Sequence, residues 1–240
     1  MELARLLLIA WLAAAGSLVQ AEVAVVDDTG ATVRLAQPAR RIVSLAPHLT
    51  ETLFAAGAGE RVVGTVEYSD YPPAASRITR VGGYSRLDLE RVAALQPDLI
   101  IAWQSGNAAA HVDRLRVLGF RIYVSQPNRI DDVASEIERL GVLAGSAPVA
   151  GRAAEAFRQR FAGLQKRYGG RPPVRTFYEI WKQPLMTVGR QQIISDVIRL
   201  CGGDNVFGQL NTMAPAVTVG TGLAGSYFNN ITLSGTAVLS

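Results

Sequence analysis

The 240-residue chain has one cysteine, Cys201. A disulfide framework and any cysteine-built zinc or iron–sulfur centre are thereby excluded, and the lone thiol is expected to be buried and inert. Lysine is nearly missing: of 24 basic residues only Lys166 and Lys182 are lysines, so no lysine-rich arm exists. With 20 acidic residues opposing them the net charge is +4, too small and too scattered for a nucleic-acid partner. Histidine is scarce. His111 lies among arginines and reads as solvated, and His48, at a strand-to-helix loop, reads as a capping or packing residue rather than a metal ligand, since a lone imidazole builds no metal site. The chain also lacks a phosphate loop ending in Gly-Lys-Ser/Thr, a His-Glu-x-x-His helix and a Gly-x-Ser-x-Gly elbow. Gly220 to Gly225 matches the letters of a dinucleotide fingerprint, but no helix and no later acid follow it. No enzyme, catalytic residue, metal or resident cofactor is therefore expected. Charge itself is missing from Asn205 to Ser240, 36 positions of a chain that is 18% charged; composition changes there.

What is present is a globular composition, 49% hydrophobic. Arg5, the apolar run Leu6 to Ala15 and the modest residues Val19-Gln20-Ala21 make residues 1–21 a secretory signal peptide. The run is shorter than the roughly 20 residues that span a bilayer. No cysteine follows the cut for a lipid anchor, so the mature chain is expected to begin near Glu22 in the periplasm.

Downstream, Glu22 to Leu35 alternates around Asp28-Thr29-Gly30, a hairpin. Strands are predicted at Arg41–Leu45, Arg61–Val66, Asp98–Trp103 and Phe120–Val124. Helices are predicted from Pro47 (with Thr50 or a neighbour as cap) and over Asp88–Leu95, Ala108–Leu118 and Asp131–Leu143. This alternation predicts a parallel α/β layer structure. Ala147 to Tyr168 carries apolar residues at helical spacing, and Gly169-Gly170-Arg171-Pro172-Pro173 stops it. A second α/β unit opens with Arg175–Trp181 as strand and Gln191–Cys201 as helix, stopped by Gly202-Gly203. The predicted organisation is a signal at 1–21, an N-terminal α/β lobe at 22–145, a bridging helix at 146–170, a partial C-terminal α/β lobe at 174–219 and an unrelated or disordered tail at 220–240.

Tyr68, Tyr71, Tyr84 and Trp103 fall at the C-terminal ends of predicted strands or in the loops there, and Trp181 holds the same place in the second unit. Those ends form the ligand crevice of open α/β sheets, and aromatics there suit a bulky ringed ligand.

Arg41-Ile42-Val43-Ser44-Leu45-Ala46-Pro47-His48-Leu49-Thr50-Glu51 resembles the first strand and helix of periplasmic binding proteins of the cobalamin and iron-siderophore class. Tyr68-Ser69-Asp70-Tyr71-Pro72-Pro73 and Pro97-Asp98-Leu99-Ile100-Ile101-Ala102-Trp103 resemble its cobalamin-binding branch. Ile180 to Gly189 and Cys201 to Phe207 resemble the opening of that family's second lobe. The resemblance implies two Rossmann-like lobes bridged by one long helix, with cobalamin (vitamin B12) captured between them and delivered to an ABC import permease by a monomer. It implies ligand contacts at Tyr68, Tyr84, Trp103, Ile180 and Trp181, and permease docking through Glu90. The family's second docking Glu maps onto Gly220, which cannot serve.

The resemblance stops near Val219. The stretch from Gly222 to Leu239 resembles the opening of a protective-antigen-type β-sandwich module, often carbohydrate-binding; such a sandwich takes roughly 100 residues. The second lobe is thus expected to be incomplete. Two alternatives stay open: the same fold holding haem, a ferric siderophore or another corrinoid, and a truncated or fused product without transport function.

Overall fold

The computed structural model describes residues 22–83 and 86–217. The expected signal peptide, Tyr84 and the tail at 220–240 lie outside the described residues. The described residues divide into two compact units, one holding residues 22–127 with Asp131–Arg160 and the other Asn128–Ile130 with residues 161–217.

In the first unit, β1 (Val23–Val26) and β2 (Thr32–Leu35) form the antiparallel hairpin that the alternation predicts. The Asp27 carboxylate makes the turn by accepting from the Thr29 and Ala31 amides and the Thr29 hydroxyl. Gly30, at φ +84°, supplies the left-handed residue.

The body of this unit is one parallel sheet. β3 (Ile42–Ser44), β4 (Val62–Thr65), β5 (Thr79–Arg80), β6 (Leu99–Trp103) and β7 (Ile122–Ser125) lie in the order β5-β4-β3-β6-β7. Around it run α1 (Pro47–Ala55), α2 (Leu89–Ala94), α3 (Ala109–Val117), α4 (Ile130–Ala144) and, up to Arg160, α5 (Ala147–Tyr168). Alternate residues of β6 feed opposite faces. Leu99 and Ile101 join Leu49 and Leu53 of α1, Leu140 and Leu143 of α4, and Ala150 and Ala154 of α5. Ile100 and Ala102 join Val92 of α2 and Val112 and Leu115 of α3. This two-sided cover is why the strand is apolar throughout; each Val, Leu or Ile side chain buried in this way contributes about 1.5–3 kcal/mol. The fold is α/β, built on a doubly wound parallel sheet.

Behind β7 sits a buried polar group. Arg139 of α4 pairs with Asp28 at 2.6 Å, and the other Asp28 oxygen accepts from the Gln126 amide at 2.6 Å. The hairpin is thereby fastened to the last strand. Glu136, at 1% exposure, is pushed up to about 7 by burial, against smaller pulls from the Ser125 hydroxyl and Arg139.

The second unit contains β8 (Val174–Thr176), parallel to β11 (Gly203–Asn205), and β9 (Glu179–Trp181), antiparallel to β10 (Met186–Thr187), with α6 (Ile193–Leu200) between. The strand expected over Arg175–Trp181 is thus two strands that take different partners on either side of Phe177-Tyr178. Cys201 also departs from expectation: it is exposed, because it caps the end of α6 instead of pointing inward. Among the described residues no helix is long and apolar enough to cross a membrane.

Candidate ligand-binding site

The strand order places a switch point between β3 and β6. The chain leaves β3 toward β4 on one side and leaves β6 toward β7 on the other. The loops after these two strands diverge, and the gap between their carboxyl ends is where open α/β sheets bind ligands. His48 follows β3 and Trp103 ends β6. The structure brings them together: their ring centroids are 5.0 Å apart and nearly perpendicular, at 83°.

The turn between β3 and α1, which presents His48 in the first turn of the helix, is fastened by visible contacts. The helix after it begins on Pro47, which suits the first helical turn, and its N-cap is Ala46, with no side-chain cap. Thr50, expected as a cap, is buried and does something else. Its hydroxyl donates to Ser44 Oγ at 2.9 Å and meets Thr65 Oγ1 at 2.8 Å, while Ser44 Oγ donates to the Ala46 carbonyl at 3.0 Å. With one proton per hydroxyl, Thr65 is the donor to Thr50. Three hydroxyls thus tie β4, β3 and the turn that presents His48. Burial pushes the His48 imidazole down to about 4, so it is neutral at ordinary pH, and its Nε2 is buried without a hydrogen-bond partner.

Trp103 is half-buried. Its amide donates to Asn107 Oδ1 at 2.7 Å, and Asn107 Nδ2 donates to the Leu45 carbonyl at 2.9 Å. On the other side the loop is tied to β7 through Ser105 N to Gln126 Oε1 at 3.0 Å and Gln104 N to Ser125 O at 3.0 Å. Asn107 and Gln126 were not among the residues that sequence reasoning picked out. A short polar residue after a strand reads as turn punctuation, and only the Gly106-Asn107 pair hints at a tight turn there.

Tyr68 and Tyr71 lie past the end of β4, 79% and 64% exposed. Tyr68 holds φ +63°, uncommon for a bulky residue. The turn that imposes it is clamped by Arg80, whose guanidinium donates to the Val66 and Ser69 carbonyls at 3.2 and 2.9 Å. Tyr84 lies outside the described residues. Glu90 is exposed in the first turn of α2, which Asp88 caps by accepting from the Arg91 amide at 2.9 Å.

In the second unit, Ile180 and Trp181 sit on β9 and are exposed, Trp181 at 64%. Here the expected parallel with Trp103 fails. Trp181 ends no parallel strand; it pairs with Met186 in a two-stranded antiparallel ribbon, and its indole N–H donates to the Gln183 carbonyl at 3.0 Å. Among the described residues no group of three or more His, Cys, Asp or Glu could hold a metal ion.

The family model for periplasmic binding proteins matches residues 42–231. The chain belongs to the periplasmic binding protein family. Within it, the chain is 42% identical over 182 residues to the vitamin B12-binding protein of Vibrio cholerae, covering 76% of this chain and 66% of that protein. It is 40% identical over 183 residues to the vitamin B12-binding protein of Yersinia pestis, covering 76% and 65%. The chain thus spans a little under two thirds of the length of these relatives. The crystal structure of the periplasmic vitamin B12-binding protein of Vibrio cholerae superposes with a TM-score of 0.69, covering 76% of this chain and 71% of that one. A periplasmic haem-binding protein from Roseiflexus, 25% identical, superposes at 0.62 over 75% and 70%.

Proposed function

We propose that this chain is a non-enzymatic periplasmic substrate-binding protein that captures cobalamin and hands it to an ABC import permease. The observation that carries this is the pair formed by Trp103 and a neutral His48 at the switch point of the parallel sheet. A flat aromatic ring beside a neutral imidazole suits a large ringed ligand. The 42% identity to the Vibrio cholerae vitamin B12-binding protein supports cobalamin as that ligand. Tyr68, Tyr84 and Trp103 are the proposed contacts in the first unit, and Ile180 and Trp181 in the second. Glu90, exposed on α2, is the proposed permease contact. A signal peptide at 1–21 would direct export, and the exported chain would act as a monomer without a resident cofactor.

Haem is the alternative ligand. The observation in its favour is the neutral His48 imidazole, whose Nε2 has no partner and is of the type that binds haem iron. That nitrogen is buried, so it must turn outward before it can reach iron. Calorimetric titration of the purified protein with cyanocobalamin and with haemin separates the two. Saturable binding of cyanocobalamin with weaker haemin binding is expected. Haemin binding with a spectrum that is lost in His48→Ala would replace cobalamin by haem.

A further inference from the structure

We propose that Asn107 and Gly106 are positioning residues for Trp103, which splay the strand ends at the switch point and hold the indole in one orientation. This rests on Trp103 being a ligand contact.

The register of β3 and β6 pairs Ser44 with Ile101. One step further, the Leu45 amide donates to the Ile101 carbonyl at 2.9 Å. The next rung of a parallel ladder would then run from the Trp103 amide to the Leu45 carbonyl. That direct bond is replaced. The Asn107 carboxamide sits in its place, accepting from Trp103 N at 2.7 Å and donating to Leu45 O at 2.9 Å. A side-chain amide thus stands in for the missing rung. It satisfies both backbone groups while keeping the two strand ends apart, where one direct bond would have zipped them shut. The Asn107 amide N–H also donates to the Trp103 carbonyl at 2.9 Å, so the residue grips both backbone groups of Trp103 from the loop side.

Gly106 sets the ring. A Cβ at this position would overlap Trp103 at Cε3 and Cζ3, so the indole lies directly against the Gly106 backbone. Gly106 is not among the residues with positive φ; the demand for glycine comes from the ring and not from the backbone conformation. With Gly106 against the benzo ring and His48 nearly perpendicular at 5.0 Å, the indole is bounded on two sides. A pre-set aromatic surface binds without losing rotamer freedom.

The test is 19F NMR of the full chain labelled with 5-fluorotryptophan, with the Trp103 resonance assigned by its loss in Trp103→Phe. Gly106→Ala and Asn107→Ala should shift or broaden that resonance in the absence of ligand and leave the Trp181 resonance in place. Far-UV circular dichroism should be unchanged, and cyanocobalamin affinity should fall by about tenfold or more, the loss typical of a displaced aromatic anchor. Asn107→Asp keeps the acceptor for Trp103 N and loses the donor to Leu45 O, and should fall between wild type and Asn107→Ala. If Asn107→Ala does not fold, Gly106→Ala decides alone, since it leaves both Asn107 bonds intact. A folded Gly106→Ala chain with an unmoved Trp103 resonance overturns the proposal. If that resonance moves but wild type itself takes no cyanocobalamin, the positioning role stands and the cobalamin assignment fails.

Discussion

Trp103 and Trp181 are both candidates to face a ligand, yet the two units hold them very differently. Trp103 ends β6, a strand paired on both sides within a five-stranded parallel sheet with apolar clusters on both faces. The loop after it is hydrogen-bonded to the end of β3 through Asn107 and to Gln126, just past β7, through Ser105. Trp181 sits on a two-stranded ribbon, 64% exposed, held by its own Gln183 carbonyl two residues away. Among the described residues of the second unit few side chains are buried, notably Thr187, Val188, Ser195 and Ile198, while Val174, Tyr178 and Val197 are exposed. The difference teaches where geometric precision comes from. A side chain is held in one place when the backbone under it is over-determined, and the first unit supplies that for Trp103.

The largest effect that sharpens this contrast is expected from the cores. Ile101→Ala, at a fully buried position of β6, should lower stability by about 3–4 kcal/mol. Val188→Ala, also fully buried but in the second unit, removes fewer atoms from a thinner core and should cost about 1–2 kcal/mol. Urea denaturation followed by circular dichroism measures both, and equal losses would break the contrast.

Next in size is a pair of opposed pH effects confined to the first unit. Glu136 is raised from 4.5 to about 7 by burial. Its contribution is therefore fully present below pH 4.5 and is lost as pH rises toward 7, a span worth about 3 kcal/mol. His48 is lowered from 6.5 to about 4 by burial. Its contribution is present above pH 6.5 and is lost as pH falls toward 4. Between pH 4.5 and 6.5 the two slopes oppose each other, so wild-type stability should vary little. Glu136→Gln should expose a loss on acidification and His48→Asn a gain. Two variants with the same pH profile as wild type would contradict the burial of both groups.

The smallest effect is chemical. Cys201, exposed at the end of α6, should react with a thiol reagent in the native protein nearly as fast as in the denatured one. Protection until unfolding would mean that the second unit is packed more fully around it than described.

Much of the first unit was legible because its signals are local. The two-residue alternation of the hairpin, the apolar run of β6 and the helical spacing of α5 each map a side-chain pattern onto one geometry. The helix expected over Ala108–Leu118 is α3, and Gly119, at φ +86°, follows its end. Features that depend on partners distant in sequence were not legible. Thr50 looked like a cap, but Ser44 and Thr65 claim its hydroxyl. Arg175 to Trp181 looked like one strand, because nothing in the run itself says that β8 pairs with β11 and β9 with β10. The site was half visible. The aromatic types and the strand ends were readable, whereas the contact of His48 with Trp103 and the bridging amide of Asn107 exist only once β3 lies beside β6.

The most direct test of the central claim is a fluorescence titration with cyanocobalamin, comparing wild type with Trp103→Ala and Trp181→Ala. The account predicts saturable quenching in wild type, about a hundredfold weaker binding in Trp103→Ala, as for a central aromatic anchor, and a smaller loss in Trp181→Ala. Wild-type binding that survives Trp103→Ala unchanged would contradict it.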